Sequence, residues 1–172
     1  MSARLLPSPQ PRTAGHVTRR AMTARDVDSV QAIEASAYSF PWTRGNFIDS
    51  LAAGYLAEVL QADGATVGYF VAMVGVDELH LLNVTVAPAH QGQGFGSQLL
   101  DAVSVHGQQL GLHRLLLEVR QSNEQARSLY LRRGFSAVGL RRSYYPALQG
   151  REDAVVMSLD LAPPGGNVHG LV

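Results

Sequence analysis

HQGQGFGSQLL, residues 90–100, places glycine at 92, 94 and 96 and then turns abruptly apolar. Glycine loses more backbone entropy on folding than any other residue, so an alternating run of glycines needs a cause. Upstream, LHLLNVTVAP (79–88) is rich in Leu and Val and ends at a proline, as a strand does. Downstream, Leu99, Leu100, Val103 and Leu110 recur at helical spacing, and Gly111 stands where a C-terminal cap belongs. The stretch is therefore a strand–loop–helix joint whose amides and helix N-terminus face negative charge. A Walker ending, Gly-Lys-Ser/Thr, is absent. A G-x-G-x-x-G count from Gly92 and Gly94 meets Ser97 in place of the last glycine. What is left is Gln91-x-x-Gly94-x-Gly96, a spacing that a plain connecting turn satisfies as well.

Length and composition bound the rest. A chain of 172 residues suits one domain, and 46% hydrophobic residues suffice for a real core. Fourteen basic and fourteen acidic side chains leave a formal net charge of zero, which gives no general affinity for nucleic acid or membranes. The absence of cysteine excludes disulfides, thiolate zinc sites and a cysteine nucleophile, and it fits a reducing compartment. No apolar run reaches the roughly 18 residues of a membrane span. The opening MSARLLPSPQPRTAG lacks the apolar centre of a signal peptide, so a cytoplasmic location is expected. Residues 1–16 read as a loose N-terminal arm, 17–161 as the folded domain and 162–172 as a C-terminal tail.

Along the chain, HVTRRAM (16–22) reads as a strand. Thr23 and Asp26 cap a helix with Val27, Val30 and Ile33 on one face. Pro41 breaks it, and Thr43 caps a short second helix carrying Phe47 and Leu51. Residues 55–86 supply three strands with turns at Asp63-Gly64, a strong hairpin signal, and at Asp77-Glu78. After the glycine loop and its helix comes the strand HRLLLEV (113–119). Ser122 and Gln125 form a capping box for a helix that runs to Gly134, and residues 135–145 and 152–161 make a final strand pair around Pro146 and Gly150. The order β-α-α-β-β-β-α-β-α-β-β predicts a mixed α/β fold of about seven strands and about four helices.

Order and motifs now coincide with a known pattern. Gln91-x-x-Gly94-x-Gly96 after NVTVAP resembles the acetyl-CoA signature of the GNAT acetyltransferases, and NEQARSLYLRRGF (123–135) resembles that family's later motif. FPWT (40–43), LLNVTV (81–86), LEVRQSNEQARSLY (117–130), RSYYP (142–146) and GREDAVVMSL (150–159) are similar to segments of RimI-type members. Those acetylate the N-terminal alanine of a small-subunit ribosomal protein. The resemblance spans roughly Thr18 to Asp160 and implies a GNAT-like fold. It implies acetyl-CoA as co-substrate, no metal, and the N-terminal segment of such a ribosomal protein as partner. A lysine or a small amine is the alternative acceptor, and a CoA-binding module without turnover is the reading from another class.

The resemblance also assigns residues. It implies that the amides of Gln91, Gly92, Gln93, Gly94, Phe95, Gly96 and Ser97 hold the cofactor's pyrophosphate, that Val84, Thr85 and Val86 pair with its pantothenate arm, and that Asn123 contacts it. Glu118 alternates with the apolar face of Leu115, Leu117 and Val119, so it is either a solvated edge residue paired to Arg114 or Arg120, or functional. In RimI-like enzymes it is the general base. Tyr130, by position a core aromatic, occupies the family's general-acid position. Phe40 and Trp42, and Tyr144 and Tyr145, sit in two predicted loops that border the peptide groove in such enzymes; anchoring those loops to the core is the alternative. His80, His90, His106 and His113 show no metal-ligand spacing and are expected to be structural or exposed.

Overall fold

The computed structural model describes residues 15–162; most of the expected N-terminal arm and nearly all of the expected tail lie outside them. The elements follow the predicted order. They are β1 (Val17–Ala21), α1 (Val27–Ala37), α2 (Arg44–Ala52), β2 (Leu56–Ala62), β3 (Ala65–Val74), β4 (Glu78–Val86), α3 (Phe95–Gln109), β5 (Arg114–Arg120), α4 (Glu124–Arg132), β6 (Ser136–Pro146) and β7 (Arg151–Asp160). They build one seven-stranded sheet of order β1-β2-β3-β4-β5-β7-β6. Every neighbouring pair is antiparallel except β4 and β5. That exception is enforced by the crossover through α3, because parallel strands need a long connection.

The core has two halves, one on each face of the sheet. Met22, Val27, Val30, Phe47, Val59, Tyr69 and Val71 pack beneath α1 and α2. Phe70, Leu79, Leu81, Leu99, Leu100, Val103, Leu115 and Leu117 pack beneath α3. The turn signals form as the residue types require. Asp63 and Gly64 both have positive φ, 50° and 82°, as a tight hairpin turn demands. Thr43 Oγ1 accepts from the Asn46 N–H at 3.2 Å. At α4 the cap is Asn123, whose Oδ1 accepts from the Ala126 N–H at 3.1 Å, and not Ser122. The Ser122 N–H instead donates to Glu152 on β7 at 3.3 Å, which holds Ser122 outside the helix.

Two irregularities make the site. The β4–β5 pairing runs only from Glu78↔Arg114 to Leu81↔Leu117. Beyond it β4 stays with β3 as far as Val86, β5 stays with β7 as far as Arg120, and the sheet opens as a wedge. The β3–β4 register also slips, pairing Val71 with Asn83 but Ala72 with Leu81. The extra residue, Leu82, is a bulge, and it reverses which face the following side chains meet. Leu79 and Leu81 join the core under α3, whereas Asn83 bonds Glu34 on α1 and Thr85 bonds Tyr38.

Candidate active site

On the α3 side the wedge opens into a cleft of about 500 Å³. Of the residues expected to hold the cofactor, Val84, Thr85, Val86, Gln91, Gly92, Gly94, Phe95, Gly96, Ser97 and Asn123 line it and Gln93 does not. Because β4 has lost β5 there, its groups on that edge are free to pair with an extended amide chain. Gly92 and Gly94 lie at φ +75° and +86°, and a Cβ on either would meet nothing within 4 Å. Their glycines serve the left-handed turn and the open approach to the backbone. Gly96 has a different cause: its Cβ would stand 3.2 Å from Leu129 Cδ2 on α4. The Gln91 N–H is turned back to the Pro88 carbonyl at 3.4 Å, and its side-chain amide donates to the Val86 carbonyl at 3.2 Å. The first bond returned from the helix is Gln98 N–H to the Gly94 carbonyl, at 3.2 Å. Between them lie the orphan donors of a helix N-terminus, a cradle that fits a pyrophosphate.

The second cleft, about 290 Å³, lies at the wedge toward α1, where Phe40, Trp42, Glu118, Arg120 and Tyr145 line it and Tyr144 does not. Phe40 and Trp42 are in the connection after α1, as predicted. Tyr144 and Tyr145 lie at the end of β6, inside the strand expected over 135–145 and not in the loop beside it. A register slip between Arg141 and Tyr145, with Ser143 at φ +49°, reshapes the strand end there. Arg120 stacks 4.5 Å from the Tyr145 ring centroid and 5.7 Å from that of Phe40, and its guanidinium donates to Glu152 Oε1 at 2.8 Å. One cation thus ties both aromatic segments of the groove.

Glu118 is not on a sheet edge, since β5 runs between β4 and β7. Its side chain is 8% exposed, and its partners are neither Arg114 nor Arg120. His80 Nε2 approaches Oε2 at 2.8 Å, and Arg141 Nε approaches Oε1 at 3.2 Å. The His80 bond, and then the charges of His80 and Arg141, hold the Glu118 carboxyl below the usual range against the opposing effect of burial. Tyr130 is buried, and burial pushes its phenol far above its usual value, so it keeps its proton. Tyr38, Val84, Asn123 and Tyr130 line both clefts, so the two sites meet at these residues.

Sequence reasoning missed three participants. His80 carries no signal in its spacing, and Arg141 is placed by strand pairing two strands away. Glu34 accepts from the Trp42 N–H at 2.8 Å, from Asn83 Nδ2 at 3.2 Å and from the Tyr69 hydroxyl, all beneath the second cleft. Its signal was legible: Glu34 sits four residues after Val30, inside the apolar stripe of α1, where a carboxylate needs partners. Among the described residues no cluster of ligands suits a metal, and no helix is long and apolar enough to cross a membrane.

A wedge between parallel strands, closed by a glycine cradle at a helix N-terminus, fits a transferase whose co-substrate carries a pyrophosphate and an extended amide arm. The model described as the acetyltransferase (GNAT) family matches residues 27–135, and the chain belongs to that family, whose members use acetyl-CoA. It is 35% identical over 145 residues to the [ribosomal protein bS18]-alanine N-acetyltransferase of Escherichia coli K12, covering 84% of this chain and 98% of that one. The crystal structure of the ribosomal-protein-S18-alanine N-acetyltransferase from Escherichia coli superposes with a TM-score of 0.81 at 34% identity, over 90% of this chain and 100% of that one. Naa50 of Arabidopsis thaliana, solved with the bisubstrate analogue CoA-Ac-MVNAL, shares the fold at a TM-score of 0.74 and 20% identity, over 83% of this chain and 97% of that one.

Proposed function

We propose that this chain transfers the acetyl group of acetyl-CoA to the N-terminal alanine α-amine of a small-subunit ribosomal protein, in the cytoplasm, by direct attack in a ternary complex. The observation that carries the reading is the junction of two clefts, reached from opposite faces of the sheet, at Tyr130. The first cleft takes the pyrophosphate on the amides of residues 92–97 and the pantothenate arm along Val84–Val86. The second takes the peptide between Phe40, Trp42 and Tyr145. Glu118 receives the ammonium proton, directly or through a water. The freed amine nitrogen bonds to the thioester carbonyl carbon and a β4 N–H polarises its oxygen. The C–S bond breaks with the Tyr130 hydroxyl, in the family's general-acid position, donating a hydrogen bond to the departing sulfur, and the nitrogen's second proton passes to that thiolate, leaving the amide and the CoA thiol. An α-amine with a pKa of about 7.7–8.0 asks little of a carboxylate held below its usual range. A lysine at about 10.4 asks roughly 3.5 kcal/mol more, which favours the α-amine over the lysine acceptor.

The test is incubation with acetyl-CoA and peptides that differ at residue one, with the label mapped by mass. A single acetyl on the α-amine of an Ala-initiated peptide, abolished by blocking that amine, is expected. Label on lysine with the α-amine blocked refutes the α-amine reading in favour of the lysine acceptor, and no transfer to any amine favours the binding module.

A further inference from the structure

We propose that His80 is a positioning residue for acetyl transfer: from behind the acceptor cleft its imidazole holds one oxygen of Glu118 and, as it gains or loses a proton, weakens or strengthens that carboxylate as a proton acceptor. The proposal rests on the base role given to Glu118 above.

The geometry sets the pair. In the parallel register His80 stands opposite Leu116, so Glu118 is the next residue on the same face of β5. His80 Nε2 lies 2.8 Å from Glu118 Oε2, with the two side chains 21% and 8% exposed. Glu118 lines the acceptor cleft and His80 does not, so His80 acts on the reaction only through Glu118. A carboxylate only accepts, which assigns the Nε2 proton to the imidazole in both charge states. The titrating atom is then Nδ1, on the other side of the ring. The charged groups facing His80 are Glu118 from β5, Arg141 from β6 and Glu78 from its own strand; Met73, its partner on β3, carries none. The hydrogen bond to Glu118 raises the imidazole above its ordinary 6.5, toward the range in which an α-amine deprotonates.

The consequence follows from the two oxygens. When His80 is charged, Oε2 faces imidazolium and Oε1 faces Arg141, and the carboxylate is a poor base. When His80 is neutral, only Arg141 opposes proton uptake, and Glu118 accepts the ammonium proton more readily. A purely structural ion pair would affect folding but leave the pH dependence of transfer where the substrate amine puts it.

The experiment is rapid-mixing, single-turnover acetylation of an Ala-initiated peptide at saturating acetyl-CoA, from about pH 6 to about pH 9. It compares wild type with His80→Gln and Glu118→Gln. Glutamine keeps a neutral donor toward Oε2 but cannot titrate. The expected result is a His80→Gln rate that falls less steeply toward acid, its ratio to wild type rising by up to about tenfold per pH unit. Profiles that superimpose after scaling, with Glu118→Gln slowed, overturn the proposal. A second readout needs no activity. By ¹⁵N NMR the His80 ring is expected to titrate at higher pH in wild type than in Glu118→Gln, and equal midpoints overturn the proposal. A Glu118→Gln enzyme as fast as wild type overturns it through Glu118, and removes the base role itself even where the NMR shift between the two proteins is present.

Discussion

Tyr130 keeps its proton because burial disfavours the phenolate, and the nearby Tyr38 and Tyr145 disfavour it further. The leaving thiol has a pKa of about 8.5, below that of the buried Tyr130 phenol, so complete transfer from the phenol to the departing thiolate is uphill. In the proposed mechanism its role is a hydrogen bond that strengthens as charge grows on sulfur. Tyr130→Phe is therefore expected to lower the single-turnover rate toward the smaller end of roughly 10²–10⁴-fold, with acetyl-CoA affinity nearly unchanged. Stopped-flow acetylation beside a calorimetric titration checks it, and full activity with chemistry rate-limiting returns Tyr130 to core packing. The residue scale was only partly legible in the sequence. Alternation along β5 exposed Glu118 as a misplaced carboxylate. Its partners were hidden because His80 and Arg141 reach it through strand pairing, which no local pattern records.

The glycine joint is where one element hands geometry to the next. Gly94, at φ +86°, is the N-cap of α3 and turns the chain so that the helix N-terminus faces the cleft. A β-branched residue is strained at that angle whatever the space around it. Gly94→Val is expected to weaken acetyl-CoA binding by more than tenfold, since the turn must open and the amide donors lose their common direction. Calorimetric titration of a variant shown folded by circular dichroism checks this, and unchanged affinity would sink the cradle reading. Elements were the most legible scale. Asp63-Gly64, Thr43 and Gly111 punctuate the chain by their own chemistry, and β4 and β5 declare themselves by apolar alternation. The bulge at Leu82 was not legible, because every odd residue from Leu79 to Thr85 is buried and the alternation continues unbroken while the face reverses. Nor was the insertion of β7 between β5 and β6, a choice of neighbour made by the whole sheet.

At the scale of the molecule, the proposed reaction brings two substrates together where the clefts toward α3 and toward α1 meet, and residues that line only one cleft allow the two sides to be perturbed separately. Glu34 organises the acceptor side. It joins α1 to the Trp42 segment, to Tyr69 on β3 and to Asn83 on β4. Asn83 Oδ1 accepts from the Thr85 hydroxyl at 2.9 Å, which leaves Thr85 Oγ1 to accept from Tyr38, 3.0 Å away, at the junction of the clefts. Buried donors are satisfied here only because the acceptor is a carboxylate with several lone pairs. Glu34→Gln replaces one oxygen by an amide that is itself a donor, so at least one of the three loses its partner. A cost of about 1–3 kcal/mol is expected for each donor left unpaired. A domain of this size loses roughly 2–4 °C in Tm per kcal/mol, which differential scanning calorimetry resolves. The functional effect should be one-sided. KM for the Ala-initiated peptide should rise several-fold as the Trp42 segment, which lines only the second cleft, loosens. Acetyl-CoA affinity should stay close to wild type, because residues 92–97 hang from α3 on the other face. Equal losses on both sides would mean that the buried network braces the whole wedge and not its acceptor wall.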